Sequence, residues 1–472
     1  MLFNSFPFLL LFLPLAAIIY AILERYARPS WRQAWLLGAS LFFYAYAKPS
    51  YLPLLLGSIL FNWWIGRAIA SRQDERTRKL LLHVGLIGNV AFLCSVKYTR
   101  FLLGSLGPWL SPRFTLPVWE FPLGVSFFTL TQVMYLVDTY QSQNRANSLF
   151  DHATFVSLFP YVTSGPLVQA RSLVPQLQKF QMQESRWELL CRGFYLFALG
   201  LVKKVVLADS FARVADTGFN NPGNFSMLEA WVFTLAYGFQ LYFDFSGYSD
   251  MAVGSAWMLG IDIPQNFNAP FKAKSISEFW QRWHISLSNF ITNYLYTPLL
   301  RSMGKATLRT SVIAILISMS IAGIWHGPAW TFVVFGVLHG IGLAANQTWK
   351  KHKKKMPDAL AWLLTFAFVN VTFVFFRSPD LRTAWHFLAA MIPHSNLLGF
   401  EALRDVIPLT PTLLIRPVVI GVLLALFSKS SMELAKQFQR TSITAAASAA
   451  LVLIGLLYMN SSPAKQFVYF VF

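Results

Sequence analysis

The sequence predicts a polytopic, all-α membrane protein, and its composition and apolar pattern carry that prediction. Hydrophobic residues make up 55% of the 472-residue chain and charged residues only 12%, whereas a soluble domain is about a quarter charged. The apolar runs are long and lack the alternation of β-strands, so helices are expected to satisfy the backbone hydrogen bonds inside lipid. Cys94 and Cys191 form neither a disulfide framework nor a metal-binding pattern.

Twelve apolar stretches are candidates for membrane crossings, each of which takes about 20 helical residues. They lie near residues 6–24, 33–47, 51–66, 80–97, 121–138, 193–209, 228–245, 310–326, 328–347, 358–376, 411–427 and 444–460. The first stretch is expected to be a retained span, because no Lys or Arg precedes Arg25 and a cleaved signal peptide begins with positive charge.

Basic residues test this arrangement, because Lys and Arg accumulate in cytoplasmic loops. When the spans are counted in order, five basic clusters fall on one side: Arg25 to Arg32, Arg67 to Lys79, Arg171 to Arg192, Lys272 to Arg309 and Lys350 to Lys355. We therefore expect a multi-pass protein of the inner (cytoplasmic) membrane with its N-terminus outside. The net charge of +19 has the same origin, and without a nucleic-acid motif it predicts no nucleic-acid partner.

Some stretches do not fit simple spans. Residues 155–168, interrupted by proline and glycine, and residues 246–263, which contain two aspartates, are predicted to be re-entrant or half-buried elements near the cytoplasmic face. Residues 101–120 and 380–394 are predicted to lie along the membrane surface.

One integral-membrane domain is expected over residues 1–472. It would comprise N-terminal spans (1–140), a core with re-entrant segments and catalytic histidines (141–347), and C-terminal spans (348–472). No internal repeat or soluble domain is evident.

His326 is the first candidate for chemistry among eight histidines. It lies in SIAGIWHGPAW, between two long apolar runs, where Gly327 and Pro328 mark a helix break. An ionisable group at membrane depth is costly and therefore a functional candidate, although a lone buried histidine is more often a satisfied core residue. His339, well inside the next span, is the natural alternative or partner.

Other polar residues offer weaker candidates. His284 lies in SISEFWQRWHISLSNFITNYLYTPL, which is typical of an interfacial amphipathic helix but could also line a passage towards His326. Asp244 and Asp250, in FDFSGYSDMAVG, could face a cytoplasmic cavity, cap a half-helix or pair with arginines. No serine-hydrolase, zinc or nucleotide-binding motif is present, and no metal site is expected.

Four segments resemble the membrane-bound O-acyltransferase (MBOAT) family, and within it the bacterial branch typified by alginate O-acetylase. They are FPYVTSGPLVQARSLVPQL (159–177), YFDFSGYSDMAVGSAWMLGIDIPQNFNAPF (242–271), SISEFWQRWHISLSNFITNYLYTPL (275–299) and GIWHGPAWTFVVFGVLHG (323–340). Their order and spacing match, and the WHG and FWQRWHISLS runs are together highly specific.

The resemblance implies an MBOAT-type fold of about 12 spans with re-entrant and interfacial helices. It also implies an enzyme that passes an acetyl group from cytoplasmic acetyl-CoA across the membrane to an exported polysaccharide such as alginate. No bound cofactor is expected, and a periplasmic SGNH-fold acetyltransferase is expected to complete the transfer. Acceptors of other members, which are cellulose, peptidoglycan and the teichoic acids that receive D-alanine, remain alternatives. A non-enzymatic transporter would leave the histidine motifs unexplained.

By the same resemblance, His326 and His284 match the family's two catalytic histidines. Neutral imidazole can act as a general base at cytoplasmic pH, taking a proton from an acceptor hydroxyl or from a relayed nucleophile. The residues predicted to hold the donor's phosphates are Lys272, Lys274, Arg282, Arg301 and Lys305. Those predicted to support the site are Asp244, Asp250, Asn266 and His339. Lys203 and Lys204, which interrupt a span, receive no role.

Overall fold

The computed structural model describes most of the chain, namely residues 1–99, 101–102, 122–142, 147–179, 185–220, 225–352, 356–393, 397–399, 401–404, 411–461 and 467–470. Over these ranges the chain contains helices and turns and no strand. It forms two compact units. The first comprises residues 1–197, 249–264 and 438–445, and the second comprises residues 198–248, 265–437 and 446–472.

The first unit is built from the N-terminal helices. They are α1 (Leu13–Tyr26), α2 (Pro29–Ala47), α3 (Leu52–Ser71), α4 (Glu75–Leu93), α5 (Val125–Tyr140), α6 (Leu149–Ser157) and α7 (Ala170–Lys179), and α8 (Arg186–Val202) begins here and ends in the second unit. A π-helical turn, Pro7–Phe12, leads into α1, and another, Cys94–Tyr98, follows α4.

Buried aromatic rings join the π-helical turn before α1 to α2. Phe43 of α2 lies 5.9 Å from Phe8 and 5.6 Å from Phe12, measured between ring centroids. Phe159 completes the cluster at 5.7 Å from Phe43. It belongs to the predicted interruption at residues 155–168, and that interruption is confirmed: α6 ends at Ser157, and the buried residues that follow form turns rather than helix.

The second unit contains the remaining helices. They are α9 (Asp209–Asn220), α10 (Met227–Met258), α11 (Ile276–Arg282), α12 (Ile285–Phe290), α13 (Thr297–Ser302), α14 (Leu308–His326), α15 (Trp330–Lys351), α16 (Asp358–Arg377), α17 (Leu381–Ala390), α18 (Glu401–Arg404), α19 (Pro411–Phe427), α20 (Ser431–Lys436) and α21 (Ser442–Ser461). The end of α10 and the start of α21 belong to the first unit. Shorter helical turns lie at Lys203–Ala208, Pro270–Lys272, Ile291–Tyr296 and Val468–Phe470.

The helices agree with the predicted positions of the spans, whereas the predicted number of crossings is not confirmed. Each of the twelve apolar stretches falls largely within a helix. Six helical stretches of the described chain are long and apolar enough to cross a membrane: Pro7–Tyr26, Pro49–Ser71, Glu75–Tyr98, Leu308–His326, Asp358–Arg377 and Ser442–Ser461. The protein is a multi-pass membrane protein with at least these candidate spans.

The prediction of a separate re-entrant element at residues 246–263 is wrong. Helix α10 continues without a break to Met258. Its glycines allow close helix packing instead of ending the helix: a Cβ on Gly247 would lie 2.7 Å from the carbonyl oxygen of Gly200, and one on Gly254 would lie 2.6 Å from that of Gly193. Small residues let α8 and α10 approach backbone to backbone, which is typical of packing in membranes.

The predicted surface segment at 380–394 contains α17, a helix with one buried face. Ala384 and Phe387 are buried, whereas Trp385 is 70% exposed. Asp380 caps the helix: the backbone N–H of Thr383 donates to its carboxylate (2.8 Å) and lowers its pKa. The other predicted surface segment, 101–120, lies almost wholly outside the described residues.

Helices α14 and α15 pack at backbone distance, and this contact is testable. A Cβ on Gly336 would lie 2.5 Å from the carbonyl oxygen of Met319 and 2.8 Å from the Cα of Gly323. We expect Gly336→Ala to force the hairpin apart and to destabilise the fold by about 1–3 kcal/mol. Thermal unfolding of the purified variant in detergent would measure this effect.

The matched control is Gly38→Ala, because a Cβ at Gly38 of α2 would have no atom within 4 Å. This change should leave the unfolding temperature unaltered or raise it slightly, since alanine favours helix over glycine by up to about 1 kcal/mol. Equal stability of the two variants would contradict the close hairpin.

Candidate active site

His326 ends α14, and its imidazole is surrounded by aromatic rings. The side chain is only 5% exposed. Phe335 of α15 and Phe376 of α16 contact the imidazole edge-on, with ring centroids 5.9 and 5.2 Å away. Tyr469, from the turn near the C-terminus, also contacts the imidazole edge-on, with its ring centroid 5.9 Å away. Three separate segments therefore fix the position of this ring.

His284 has an unusual backbone conformation that aims its side chain. Its φ of 42° and ψ of 53° lie in the left-handed region, which is strained for a residue other than glycine. The Ile285 N–H donates to the carbonyl oxygen of Asn266 (2.9 Å), which holds the strained residue in place. Strain kept at one buried histidine is typical of a functional position.

Asn266 also fixes the tautomer of His284. The backbone N–H and the hydroxyl of Ser286 both donate to Asn266 Oδ1, at 3.1 and 2.9 Å, so this atom is an acceptor. Nδ1 of His284 lies 3.2 Å from the same oxygen and must carry the hydrogen. Nε2 is then the nitrogen that can accept a proton. Asn266, predicted to support the site, thus orients His284.

Tyr469 lies between the two predicted catalytic histidines. Its ring centroid is 6.3 Å from that of His284 and 5.9 Å from that of His326. Phe245 of α10 contacts both His284 (4.6 Å) and Tyr469 (4.3 Å) and packs them together. The sequence analysis missed Tyr469. Its only signal was a phenol within the aromatic segment FVYFVF, beyond the last predicted span.

Asp244, the residue before Phe245, forms a buried ion pair with Lys204. The Lys204 Nζ lies 2.7 Å from Asp244 Oδ1 and 3.0 Å from Asp209 Oδ1. The backbone N–H of Val468, next to Tyr469, donates to Asp244 Oδ2 (2.7 Å). The considered pairing of Asp244 with arginines is therefore wrong, because its cationic partner is Lys204. Lys204, which received no role, thus lies close to the site.

Comparison with known proteins identifies the family to which this arrangement belongs. The sequence profile of the membrane-bound O-acyltransferase family matches residues 27–378. The chain belongs to that family. The resemblance drawn from four segments is confirmed, and the protein is an acyltransferase.

Individual relatives of this acyltransferase are named as enzymes for peptidoglycan, alginate and teichoic acid. The peptidoglycan O-acetyltransferase of Helicobacter pylori is 37% identical over 521 aligned positions, which cover 100% of this chain and 98% of the relative. The probable alginate O-acetylase of Pseudomonas aeruginosa is 37% identical over 403 positions, which cover 83% of this chain and 75% of the relative. A teichoic acid D-alanyltransferase of Streptococcus thermophilus is 29% identical over 56% of this chain and 69% of its own length.

Within this acyltransferase, His339 has the contacts of a structural residue. The Trp280 indole N–H donates to its Nδ1 (3.2 Å), so Nε2 carries the hydrogen and faces the Thr372 hydroxyl (2.9 Å). That hydroxyl in turn donates to the carbonyl oxygen of Val369 (2.7 Å). Both ring nitrogens are occupied, and His339 joins α11, α15 and α16. This geometry disfavours His339 as an alternative catalytic base.

The remaining predicted site residues are Asp250 and the five basic residues predicted to bind phosphate. Asp250 is buried and belongs to the first unit. Three of the predicted phosphate-binding residues have intramolecular partners: Lys272 with the carbonyl oxygen of Ser428 (2.6 Å), Lys274 with Asp358 (2.5 Å) and Arg282 with Glu278 (2.9 Å). Arg301 and Lys305 are exposed. Phosphate binding by these residues stays a prediction.

A cavity of about 330 Å³ lies between α11, α12, α14 and α15. Its walls include Trp280, Ile285, Ser318 and Met319. Trp280 donates to His339, Ile285 follows His284, and Met319 precedes His326 by about two turns of α14. His326 is not among the lining residues, so this cavity does not expose the imidazole.

Proposed function

We propose that this acyltransferase O-acetylates an exported glycan with acetyl-CoA as the donor. The observation that carries the proposal is a buried phenol, Tyr469, placed against both family histidines. The relatives support acetyl as the group that is transferred, since the peptidoglycan and alginate O-acetylating enzymes both match most of the chain. The basic clusters support an inner-membrane location with the N-terminus outside and the donor on the cytoplasmic side.

Peptidoglycan is the acceptor that we favour. The Helicobacter pylori enzyme matches from end to end, whereas the alginate enzyme of equal identity matches 83% of this chain. An alginate-like polysaccharide is the second candidate because several alginate O-acetylases match over the same share of the chain. D-alanyl transfer is less supported, because the D-alanyltransferase matches only 56% of the chain.

The first chemical step proposed is acyl transfer to Tyr469. His326 takes the phenolic proton as the Tyr469 oxygen attacks the thioester carbonyl, forming a C–O bond. The C–S bond then breaks, and the coenzyme leaves as a thiol after receiving the proton back from the imidazole. The acetyl group is now a phenyl ester on Tyr469. The imidazole serves as base and then as acid, the usual role of histidine in acyl transfer.

The second step passes the acetyl group to an acceptor hydroxyl and restores the phenol. We assign His284 to this step, because its Nε2 can accept the proton of the incoming hydroxyl and return it to the Tyr469 oxygen as the ester C–O bond breaks. The acceptor is proposed to be a serine of a periplasmic SGNH-fold partner, which then acetylates the glycan. Donor delivery is assigned to the cavity beside Trp280 and Ser318, with Arg301 and Lys305 as exposed charges for the coenzyme phosphates.

Purified protein incubated with acetyl-CoA labelled in the acetyl group tests the donor. We expect release of coenzyme A together with label bound to the protein. A D-alanyl carrier protein labelled in the D-alanyl group should leave the protein unlabelled. Deleting the gene in its host should remove base-labile acetate from peptidoglycan, and the wild-type gene should restore it.

Loss of acetate only from a secreted polysaccharide would instead support the second acceptor. If acetyl-CoA gives neither coenzyme release nor labelled protein, and deletion leaves the acetate of both polymers unchanged, the proposed function is wrong.

A further inference from the structure

A charged cluster lies beneath the C-terminal segment, defined here as residues 467–470. Lys204 is 4% exposed at its side chain and Asp244 is 1% exposed, and their atoms are 2.7 Å apart. Asp209 adds a second carboxylate 3.0 Å from the lysine. Buried charges persist only where such partners satisfy them.

The carboxylate of Asp244 uses both of its oxygens. Oδ1 receives Lys204, and Oδ2 receives the backbone N–H of Val468 at 2.7 Å. An asparagine has a single acceptor oxygen and could serve only one of these donors. Because the second donor is a main-chain group, the contact fixes the position of the chain itself rather than that of a side chain.

The neighbours of Asp244 and Val468 continue the same contact. Phe245 packs against Tyr469 (4.3 Å) and Phe467 (5.5 Å), and Phe467 also stacks on Tyr248 (4.4 Å). The C-terminal turn itself is only three residues long, Val468–Phe470. A single helical turn has no stability of its own in water or lipid, so its position depends on these contacts.

We propose that Asp244, held by Lys204, is a positioning residue that seats the C-terminal segment and thereby keeps Tyr469 beside His326. Lys204 lies in the π-helical turn Lys203–Ala208, an irregularity that often marks a functional site. The seating of the segment stands on the contacts alone. Its effect on acyl transfer rests on the function proposed above for Tyr469.

Maleimide labelling of a cysteine in the segment tests the seating without any measure of activity. The parent chain would carry Cys94→Ala, Cys191→Ala and Val468→Cys, which keeps the backbone N–H that donates to Asp244. We expect Asp244→Ala to raise the labelling rate at least tenfold and Asp244→Asn to raise it less. The matched control is Asp209→Asn, which removes the other carboxylate of the cluster and should change the rate by less than twofold.

Unchanged labelling in Asp244→Ala would overturn the proposal. If that variant is not recovered as a monodisperse protein, Asp244→Asn decides by the same criterion. Acetyl transfer is measured in parallel, and we expect it to fall in the variants whose segment is released. If the segment is released and acetyl transfer stays complete, the proposal that Asp244 seats the segment holds and the proposed role of Tyr469 is overturned. The two failures are therefore distinguishable.

Discussion

Replacing His326 with alanine should reduce acetyl transfer by about 100-fold or more, because a positioned general base contributes about 10²–10⁴-fold to such a reaction. The imidazole is fixed edge-on against Phe335 and Phe376 and next to Tyr469. His339 cannot replace it, since both of its ring nitrogens are hydrogen-bonded. Release of coenzyme A from acetyl-CoA by the purified variant would measure the loss.

Two controls separate chemistry from folding. His386→Ala alters an exposed histidine of α17 and should leave turnover unchanged. His339→Ala removes the hydrogen bonds that join three helices and should lower the unfolding temperature more than His326→Ala, which removes a buried ring. Acetylated polymer formed at the wild-type rate by His326→Ala would remove this residue from the mechanism.

The Tyr469→Phe variant should lose acetyl transfer by about three orders of magnitude or more, the scale seen when a nucleophile is removed. The change deletes one oxygen and retains the ring that packs against Phe245 at 4.3 Å, so the fold should be preserved. In the wild-type protein, mass spectrometry after brief exposure to acetyl-CoA should find an acetyl ester on Tyr469. The variant should carry no such ester.

The matched control is Tyr248→Phe, which removes a hydroxyl from the neighbouring ring that stacks on Phe467. It should turn over at a rate near that of the wild type. Because a base and its nucleophile act as a unit, His326→Ala combined with Tyr469→Phe should be no slower than the worse single variant. A full multiplication of the two losses, or normal turnover by Tyr469→Phe, would contradict a shared step.

The sequence predicted where the helices lie and pointed to His326 and His284 as catalytic candidates, and the physical reasons are clear. Long apolar runs imply helices wherever lipid excludes water, and each predicted stretch falls largely within a helix. His326 and His284 stand in extended motifs that mark the family. The hydropathy pattern, however, says how apolar a helix is and not whether it is covered by protein or lipid, so the number of crossings did not follow from it.

The contacts that sequence reasoning missed are those made by the fold alone. Asp244 and Val468 are 224 positions apart, and no local pattern links them. Tyr469 lies in a segment too short to span and too apolar to suggest chemistry. The predicted element at 246–263 failed for a related reason: two aspartates and the count of crossings suggested a break, whereas the helix continues and Gly247 admits the backbone of α8.

The burial of His326 affects how long an acyl intermediate beside it would survive. A phenyl ester is a reactive acyl carrier, and in water it would be lost to hydrolysis. The imidazole is 5% exposed and Tyr469 packs against it. An acetyl ester on Tyr469 would therefore persist until an acceptor reaches it from the opposite side of the membrane. Under the proposed mechanism, the rate of coenzyme A release would then follow the supply of acceptor, and little thioester would be hydrolysed when no glycan is exported.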